Sequence, residues 1–492
     1  MAARVENVMW ARLFERQGGQ VRPLQAQIRR MIVSAIAERH LVPGAPVPSS
    51  RELAEQLKVA RNTVILAYQQ LVDEGVLVSR ERSGYYVNGE TVPAGGPPDR
   101  HEGDGGGPDW AGRLAIRLTD QRNITKPKDW QRYPYPFLYG QFDPSLFPIA
   151  DWRECSRQAL GVLEVKDWAP DLIDGDDPLL IEQLRTRVLP KRGVWADDDE
   201  IMVTIGAQQA LFLLAELLVD SRCVVGMEDP GYPDARNIFA IKTPHVRPLP
   251  VDGKGLVPGG VMAGCHVVFL TPSYQCPTGA TLSLERRKAL LSLADDRDMV
   301  LIEDDYECET GRESGPIPAL KSLDRNGRVV YVGSLSKTLA PGLRLGYIVG
   351  PKPLIRQARA LRRLMLRHPP ANNQRSAALF LTLGHHGTLL RRLGRALNER
   401  ALALRAALDR HLPAFRASGG PGGSSVWVEG PPGLDARELD VRARAHGVLI
   451  EPGDVFFMAE DPPRHCFRMG FSSIPVDRIE PGVAALAAAV GA

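Results

Sequence analysis

Apolar positions in the first ninety residues recur with a helical period. Leu24, Ile28, Met31, Ile32, Ala35 and Ile36 fall at i, i+4, i+7 and i+8, one stripe of a helix that opens at Pro23 and stops near Leu41-Val-Pro-Gly44. Ser49-x-x-Glu52 is a capping box, in which hydroxyl and carboxylate satisfy free backbone N–H groups reciprocally, so a second helix is expected from there to about Leu57. After the turn at Lys58-Val-Ala60 a third helix starts at Arg61. It turns Val64, Ala67 and Leu71 inward and leaves Arg61, Asn62 and Thr63 on an exposed first turn. Val76-Leu-Val-Ser79 and Tyr85-Tyr-Val87 read as two short strands, with Arg80, Arg82 and Gly84 at the bend between them. Further along, the period is replaced by short unbroken apolar runs: Met202-Val-Thr-Ile205, Val267-Val-Phe-Leu270, Met299-Val-Leu-Ile302 and Val329-Val-Tyr-Val-Gly333. Such runs fit buried strands, and helical segments over Gly206–Leu218 and Leu284–Ala294 lie between them, which predicts an α/β body.

Charge separates the same two regions. Of the 61 Lys+Arg and 58 Asp+Glu in the 492 residues, positions 1–89 carry 12 and 8, so the net positive charge resides there. Between the regions runs Val92-Pro-Ala-Gly-Gly-Pro-Pro-Asp-Arg-His-Glu-Gly-Asp-Gly-Gly-Gly-Pro108, with too few apolar side chains to offset its ordering entropy. The expected organisation is a domain over 1–89, a flexible linker over 90–113 and a body over 114–492, with a smaller C-terminal subdomain from about 371. The longest apolar stretch, Leu211 to Val219, is broken by Glu216, and Arg4, Glu6, Arg12, Glu15 and Arg16 leave no apolar leader. The expectation is a cytoplasmic protein with no membrane partner. Six cysteines without CxxC spacing, and a His385-His386 pair with no third ligand, predict neither a disulfide scaffold nor a metal site.

Several residues carry chemistry. Gly206 at a strand-to-helix turn bares the N–H groups of Ala207 and Gln208 at a positive helix end, which suits a phosphate. Glu303-Asp-Asp-Tyr306 closes a buried strand at its carboxyl end, where open α/β sheets place ligands. Lys337, in Ser334-Leu-Ser-Lys-Thr338, stands among small and hydroxyl residues after another strand, where partial desolvation lowers an amine's pKa toward the nucleophilic form. Each of these read singly is equally a surface carboxylate or a packing residue; their order and spacing favour one site. Arg356, Arg359, Arg362, Arg363 and Arg367 read as a solvated basic helix face.

Residues 20–88 resemble the GntR superfamily of winged helix-turn-helix regulators in Pro48-Ser-Ser-Arg-Glu-Leu-Ala54, Arg61-Asn-Thr-Val64, Glu74-Gly-Val-Leu77 and Ser83-Gly-Tyr85. That resemblance implies that Arg51, Arg61, Asn62, Thr63, Arg82 and Gly84 face double-stranded DNA. Residues 130–480 resemble fold-type I pyridoxal-phosphate enzymes, the aspartate aminotransferase family, which implies a mixed, mostly parallel central sheet. By the same resemblance Lys337 forms the Schiff base, Asp304 pairs with the pyridine nitrogen and Tyr306 bonds the phenolic oxygen. Tyr232 stacks on the ring; Ser334, Ser336, Arg344 and the Gly206–Gln208 turn hold the phosphate; Arg468 takes an effector's acid group. Cys276-Pro-Thr-Gly279 departs from the usual Asn-Pro-x-Gly. The whole chain resembles the MocR/GabR subfamily, whose segments appear as Gly206-Ala-Gln-Gln-Ala-Leu211, Glu228-Asp-Pro-Gly-Tyr-Pro233 and Ser336-Lys-Thr-Leu-Ala-Pro-Gly-Leu-Arg-Leu-Gly346. It implies a homodimeric transcription factor that senses an amine or amino-acid effector through its own pyridoxal 5'-phosphate; the alternative is a working aminotransferase with a DNA-binding appendage. Neither operator nor effector is legible.

Overall fold

The computed structural model describes residues 10, 12–14, 23–81, 83–90, 108–141, 143–307, 318–419 and 422–491, which group into two compact units, Met1–Leu114 and Ala115–Ala492. The expected linker falls, for residues 91–107, outside the described residues.

In the first unit, α1 (Leu24–Ala37), α2 (Ser50–Leu57) and α3 (Arg61–Asp73) surround a core of Ile28, Met31, Ile32, Leu53, Val64, Tyr68 and Leu71, each fully buried. Full burial of one such side chain stabilises by ~1.5–3 kcal/mol, which is what holds so small a unit together. The Ser49 half of the expected capping box is present: its hydroxyl accepts from Glu52 N–H at 3.2 Å. Lys58 ends α2 in the left-handed region, at φ 53°, and turns the chain into α3. Strands β1 (Leu77–Arg80) and β2 (Gly84–Val87) pair antiparallel from Leu77↔Val87 to Arg80↔Gly84, forming the wing.

The second unit is built on a sheet of eight strands among the described residues. These are β4 (Ile201–Thr204), β5 (Val225–Asp229), β6 (Val246–Asp252), β7 (Gly255–Leu256), β8 (Val267–Leu270), β9 (Val300–Asp305), β10 (Val329–Ser334) and β11 (Gly346–Val349). Their order is β4-β11-β10-β9-β8-β5-β6-β7, with β10, β9, β8, β5 and β6 parallel and β11 and β7 reversed. The central parallel strands β8, β9 and β10 are buried along almost their whole length, which is why their sequences read as apolar runs rather than as alternation. Helix α4 (Gly206–Leu218) buries Ala210, Leu211, Leu213 and Leu214 on this sheet.

A smaller sheet, β12-β13-β16-β15, is antiparallel: β12 (Arg416–Ser418), β13 (Ser425–Glu429), β15 (Glu451–Pro452) and β16 (Cys466–Gly470). Its core begins later than the expected 371. Helix α5 (Lys352–Leu366) is followed by α6 (Ala371–Thr382), whose Ala377, Phe380 and Leu381 pack with the residues of β4, β10 and β11. The small-sheet cluster instead starts in α7 (His385–His411), at Leu397, and takes in Phe137. Phe137 follows β3 (Tyr135–Pro136), which pairs in parallel with β14 (Val448–Leu449) and so ties an early segment to a late subdomain.

Two arginines of α5, Arg359 and Arg362, correct the sequence reading, whereas Arg356, Arg363 and Arg367 are exposed as it expects. Arg362 is fully buried, donating to Asp176 at 2.6 Å and to Val203 O at 2.5 Å, and Arg359 donates to the same Asp176 at 2.7 Å. An apolar-periodic pattern cannot show this, because the partner carboxylate lies almost two hundred residues away in sequence. No described helix is long and apolar enough to cross a membrane, and no described cluster of His, Cys, Asp or Glu could hold a metal ion.

Candidate functional site

At the carboxyl ends of β9 and β10, side chains from distant segments close around a cavity of about 300 Å³. Ala207, Gln208, Tyr232, Asp304, Tyr306, Ser334, Ser336, Lys337, Arg344 and Arg468, all expected from the sequence, line it together. Gly206 supports it from behind: at φ +68° it takes the left-handed backbone that opens α4, and a Cβ there would lie 2.9 Å from Arg344 Nη2. Arg344 is itself left-handed, at φ 52°, which turns its guanidinium back over the first turn of α4.

The three carboxylates of β9 separate by strand alternation. Glu303 accepts from Leu320 N and Lys321 N, both at 2.8 Å, and Asp305 accepts from Arg192 Nε and Tyr331 Oη, both at 2.7 Å. Asp304 points the other way, into the cavity, and its buried Oδ1 has no hydrogen-bond partner. Burial first, then Asp305, pushes its carboxyl up to about 7. None of these residues is a surface carboxylate.

Lys337 is open to the cavity and enclosed by protein beyond it. Its Nζ lies 4.3 Å from the centre of the Tyr139 ring. Burial lowers its amine to about 8, Glu307 opposes that fall, and Lys126 and Arg468 add to it. A nucleophilic amine is thus available near neutral pH. Arg468 stacks on the same tyrosine at 4.2 Å and on Phe456 at 4.7 Å, while its Nε donates to Glu451 Oε2 at 2.8 Å. Glu451 also meets Lys126 Nζ at 3.3 Å, so two cations share one carboxylate and a net positive charge faces the cavity. Cys276 Sγ lies 3.9 Å from Arg468 Nη1, and burial first of all pushes the thiol up to about 12, so it stays protonated.

Lys126, Tyr139, Asp234 and Glu451 were not among the sequence-based candidates. Asp234 accepts from Gln208 Nε2 at 2.7 Å and Tyr232 Oη at 3.1 Å. Only Asp234 had a legible signal, its place two residues after Tyr232 in the Asp-Pro-Gly-Tyr segment; the others arrive from segments with no motif. The set fits pyridoxal phosphate on this structure's own terms: an unpartnered carboxylate for a ring N–H, an amine near neutrality, and an arginine over a bared helix N-terminus for a phosphate.

In the first unit Arg51, Arg61 and Asn62 are exposed and Thr63 is half-buried on the opening turn of α3. Gly84, at φ +101°, has open space around it, and Arg80 stacks on Tyr86 at 4.3 Å beside it. Arg82 lies outside the described residues.

Residues 24–87 match the family of bacterial regulatory proteins, gntR family, and residues 176–486 match aminotransferase class I and II. HTH-type transcriptional regulator TauR of Rhodobacter capsulatus is 43% identical over 469 residues, 95% of this chain and 96% of that protein. The probable rhizopine catabolism regulatory protein MocR of Rhizobium meliloti is 30% identical over 471 residues, 95% and 94% of the two chains. Among solved structures, the α-aminoadipate aminotransferase LysN of Thermus thermophilus, complexed with N-(5'-phosphopyridoxyl)-L-leucine, superposes with a TM-score of 0.68 at 28% identity, covering 77% of this chain and 96% of that one. An N-terminal GntR helix-turn-helix and an aminotransferase class I and II body, with relatives matched along nearly their full length, place this chain in the MocR-type family of GntR transcriptional regulators.

Proposed function

We propose that this protein is a DNA-binding transcriptional regulator that carries pyridoxal 5'-phosphate at Lys337 and senses an amine bearing an anionic group. The observation that carries the reading is the unpartnered Asp304 carboxylate oxygen, buried in the same cavity as Lys337, Arg344 and Arg468. When bound, the cofactor supplies an aldehyde that condenses reversibly with primary amines. Asp304 would hold a proton on the ring nitrogen and Tyr306 would bond the phenolic oxygen. Ser334, Ser336, Arg344 and the N–H groups of Ala207 and Gln208 would hold the phosphate, and Tyr232 would stack on the ring. Arg468, kept in place by Glu451, and Lys126 attract the effector's anion. The effector amine competes with Lys337 for one carbon, so capture shifts the population of body conformations, and residues 90–113 transmit that bias to the DNA-reading unit.

DNA reading falls to Arg51, Arg61, Asn62, Thr63, Arg82 and Gly84. The active species is a homodimer, a reading supported by the exposed Ile149, Leu160, Val162 and Leu163 on neighbouring helical segments, apolar surface that a second copy would cover. The test is borohydride reduction of the purified protein followed by peptide mapping: the cofactor label is expected on Lys337, and label on another lysine rejects the assignment.

Retention of Lys337, Asp304, Tyr306 and Arg344 in one cavity also supports residual transamination. Sustained turnover of an amino acid with a 2-oxo acid would favour the enzyme; amine-dependent DNA affinity without turnover favours the sensor.

A further inference from the structure

A second cavity also touches Lys337, sharing Gly140 and Pro341 with the first. It is about 60 Å³, and Glu307, Gly140 and Ser424 line it with Lys337, whereas Asp304, Tyr306 and Arg468 do not. Glu307 is one residue beyond the Asp-Asp-Tyr segment and has no part in the assignments above. Ser424 bonds its carboxylate, but its Oε2 is buried without a hydrogen-bond partner. An unpartnered carboxylate oxygen inside a protein is costly unless a cation reaches it in some state of the molecule. Lys337 is the cation whose pKa Glu307 raises more than any other group does. Gly140 leaves room for the amine, since a Cβ there would lie 2.8 Å from Nζ.

We propose that Glu307 receives the ammonium group of Lys337 after an effector amine has displaced it, drawing the lysine out of the effector cavity and into the smaller one. This rests on the cofactor reading above. The exchange balances: the effector nitrogen, arriving as an ammonium, forms its bond to the cofactor's carbonyl carbon as the bond from that carbon to Lys337 Nζ breaks. The two protons that the effector nitrogen loses end on Lys337. No net charge is gained, but an ammonium that was in solvent is now inside the protein, beside Lys126 and Arg468. Glu307 is the carboxylate positioned to stabilise it. A lysine held there is also withdrawn from the effector's carbon, where it would act as the base of transamination, so one residue favours capture over turnover.

The test uses full-length, cofactor-loaded protein and methylamine, a primary amine with no anion and so independent of Arg468. After equilibration with graded methylamine, borohydride reduction and mass spectrometry give the fraction of cofactor fixed on Lys337 against that carried off as the methylamine adduct. A buried opposite charge favours an ammonium by ~1–3 pKa units, so Glu307→Gln is expected to need about ten- to a thousandfold more methylamine for half-displacement. Glu307→Asp, which keeps the charge, is expected to fall between the variant and wild type. Equal half-displacement in wild type and Glu307→Gln overturns the proposal. So does a folded Glu307→Gln that takes no label on Lys337, since the carboxylate would then serve the resting lysine; if that variant does not fold, a Glu307→Asp curve identical to wild type at every pH from 6 to 9 overturns it. Absence of label on Lys337 in wild type is a different result: it removes the cofactor reading itself.

Discussion

Asp304 differs from its two neighbours in what reaches it. Backbone N–H groups meet Glu303 and a guanidinium meets Asp305, whereas Asp304 keeps a bare oxygen and a carboxyl near 7. A carboxyl raised in the folded chain holds its proton where the unfolded chain has lost it. Its contribution to stability is therefore complete below the unfolded value of ~3.9 and is lost as pH rises through about 7. Cofactor-free protein is expected to melt at a lower temperature at pH 8 than at pH 5. Asp304→Asn should flatten that fall in part, leaving the shares of Glu228, also pushed up to about 7 by burial, and of Glu303, raised by burial and then by Asp305. Tm against pH for both proteins measures it. Affinity for pyridoxal phosphate should rise over the same window in wild type alone, because only the ionised carboxylate pairs with a protonated ring nitrogen. Arg468 gives a second prediction. Arg468→Ala removes one member of a buried charged set, a change worth ~2–5 kcal/mol, so the variant should keep label on Lys337 yet lose its response to an acidic amine at concentrations that saturate wild type. Titration of a promoter reporter and of the cofactor's visible band with the same amine checks both halves.

Two elements do separable work in the smaller unit. Helix α2 depends on Ser49, whose hydroxyl meets the Glu52 N–H, and Ser49→Ala should cost ~1 kcal/mol, read by urea unfolding. Helix α3 presents its first turn to solvent, so Arg61→Ala should leave unfolding nearly unchanged and instead relax sequence discrimination by ~1–3 kcal/mol if it reads a base edge. Competition between the operator and single-base variants decides this; equal loss on all sequences would make Arg61 a phosphate contact. In the body, α5 is fastened through Arg362, which bonds Asp176 and the backbone of residues 174, 175 and 203. Arg362→Ala should destabilise the body by ~1.5–3 kcal/mol, because the buried Asp176 loses one of its two guanidinium donors and keeps Arg359 and the Val203 N–H.

For the whole molecule, the positive excess in residues 1–89 sets the salt dependence of DNA binding. Each phosphate neutralised contributes ~0.9 to the slope of log affinity against log salt. Arg82→Ala, if it reaches only backbone, should lower that slope by about one such contact and weaken all sequences alike, as filter binding over a range of salt would record. An unchanged slope removes the wing tip from the interface.

Local chemistry was sufficient for the helix-turn-helix and for four buried strands of the body, β4, β8, β9 and β10. Periodicity, the Ser49 cap, the unbroken apolar runs and the Ser-x-Ser-Lys segment each act over a few residues, so the chain displays them directly. The Gly206 turn, the Glu303-Asp-Asp-Tyr306 segment and Lys337 were legible for the same reason, whereas Tyr232, Ser334, Ser336, Arg344 and Arg468 were named only through the resemblance to pyridoxal-phosphate enzymes. Tertiary structure alone decided the rest. Tyr139 lines the cavity beside Lys126 because β3 pairs with β14, far along the chain, and Glu451 reaches Arg468 and Lys126 because β15 pairs with β16. The partners that satisfy Glu303 and Asp305 behind the strand, the N–H groups of Leu320 and Lys321 and the side chains of Arg192 and Tyr331, were set by packing. Of the arginines expected on a solvated face, Arg362 became buried and Arg359 half-buried because a loop brought Asp176 beneath them. Charge pairing and desolvation depend on distance in space, and a sequence records only distance along the chain.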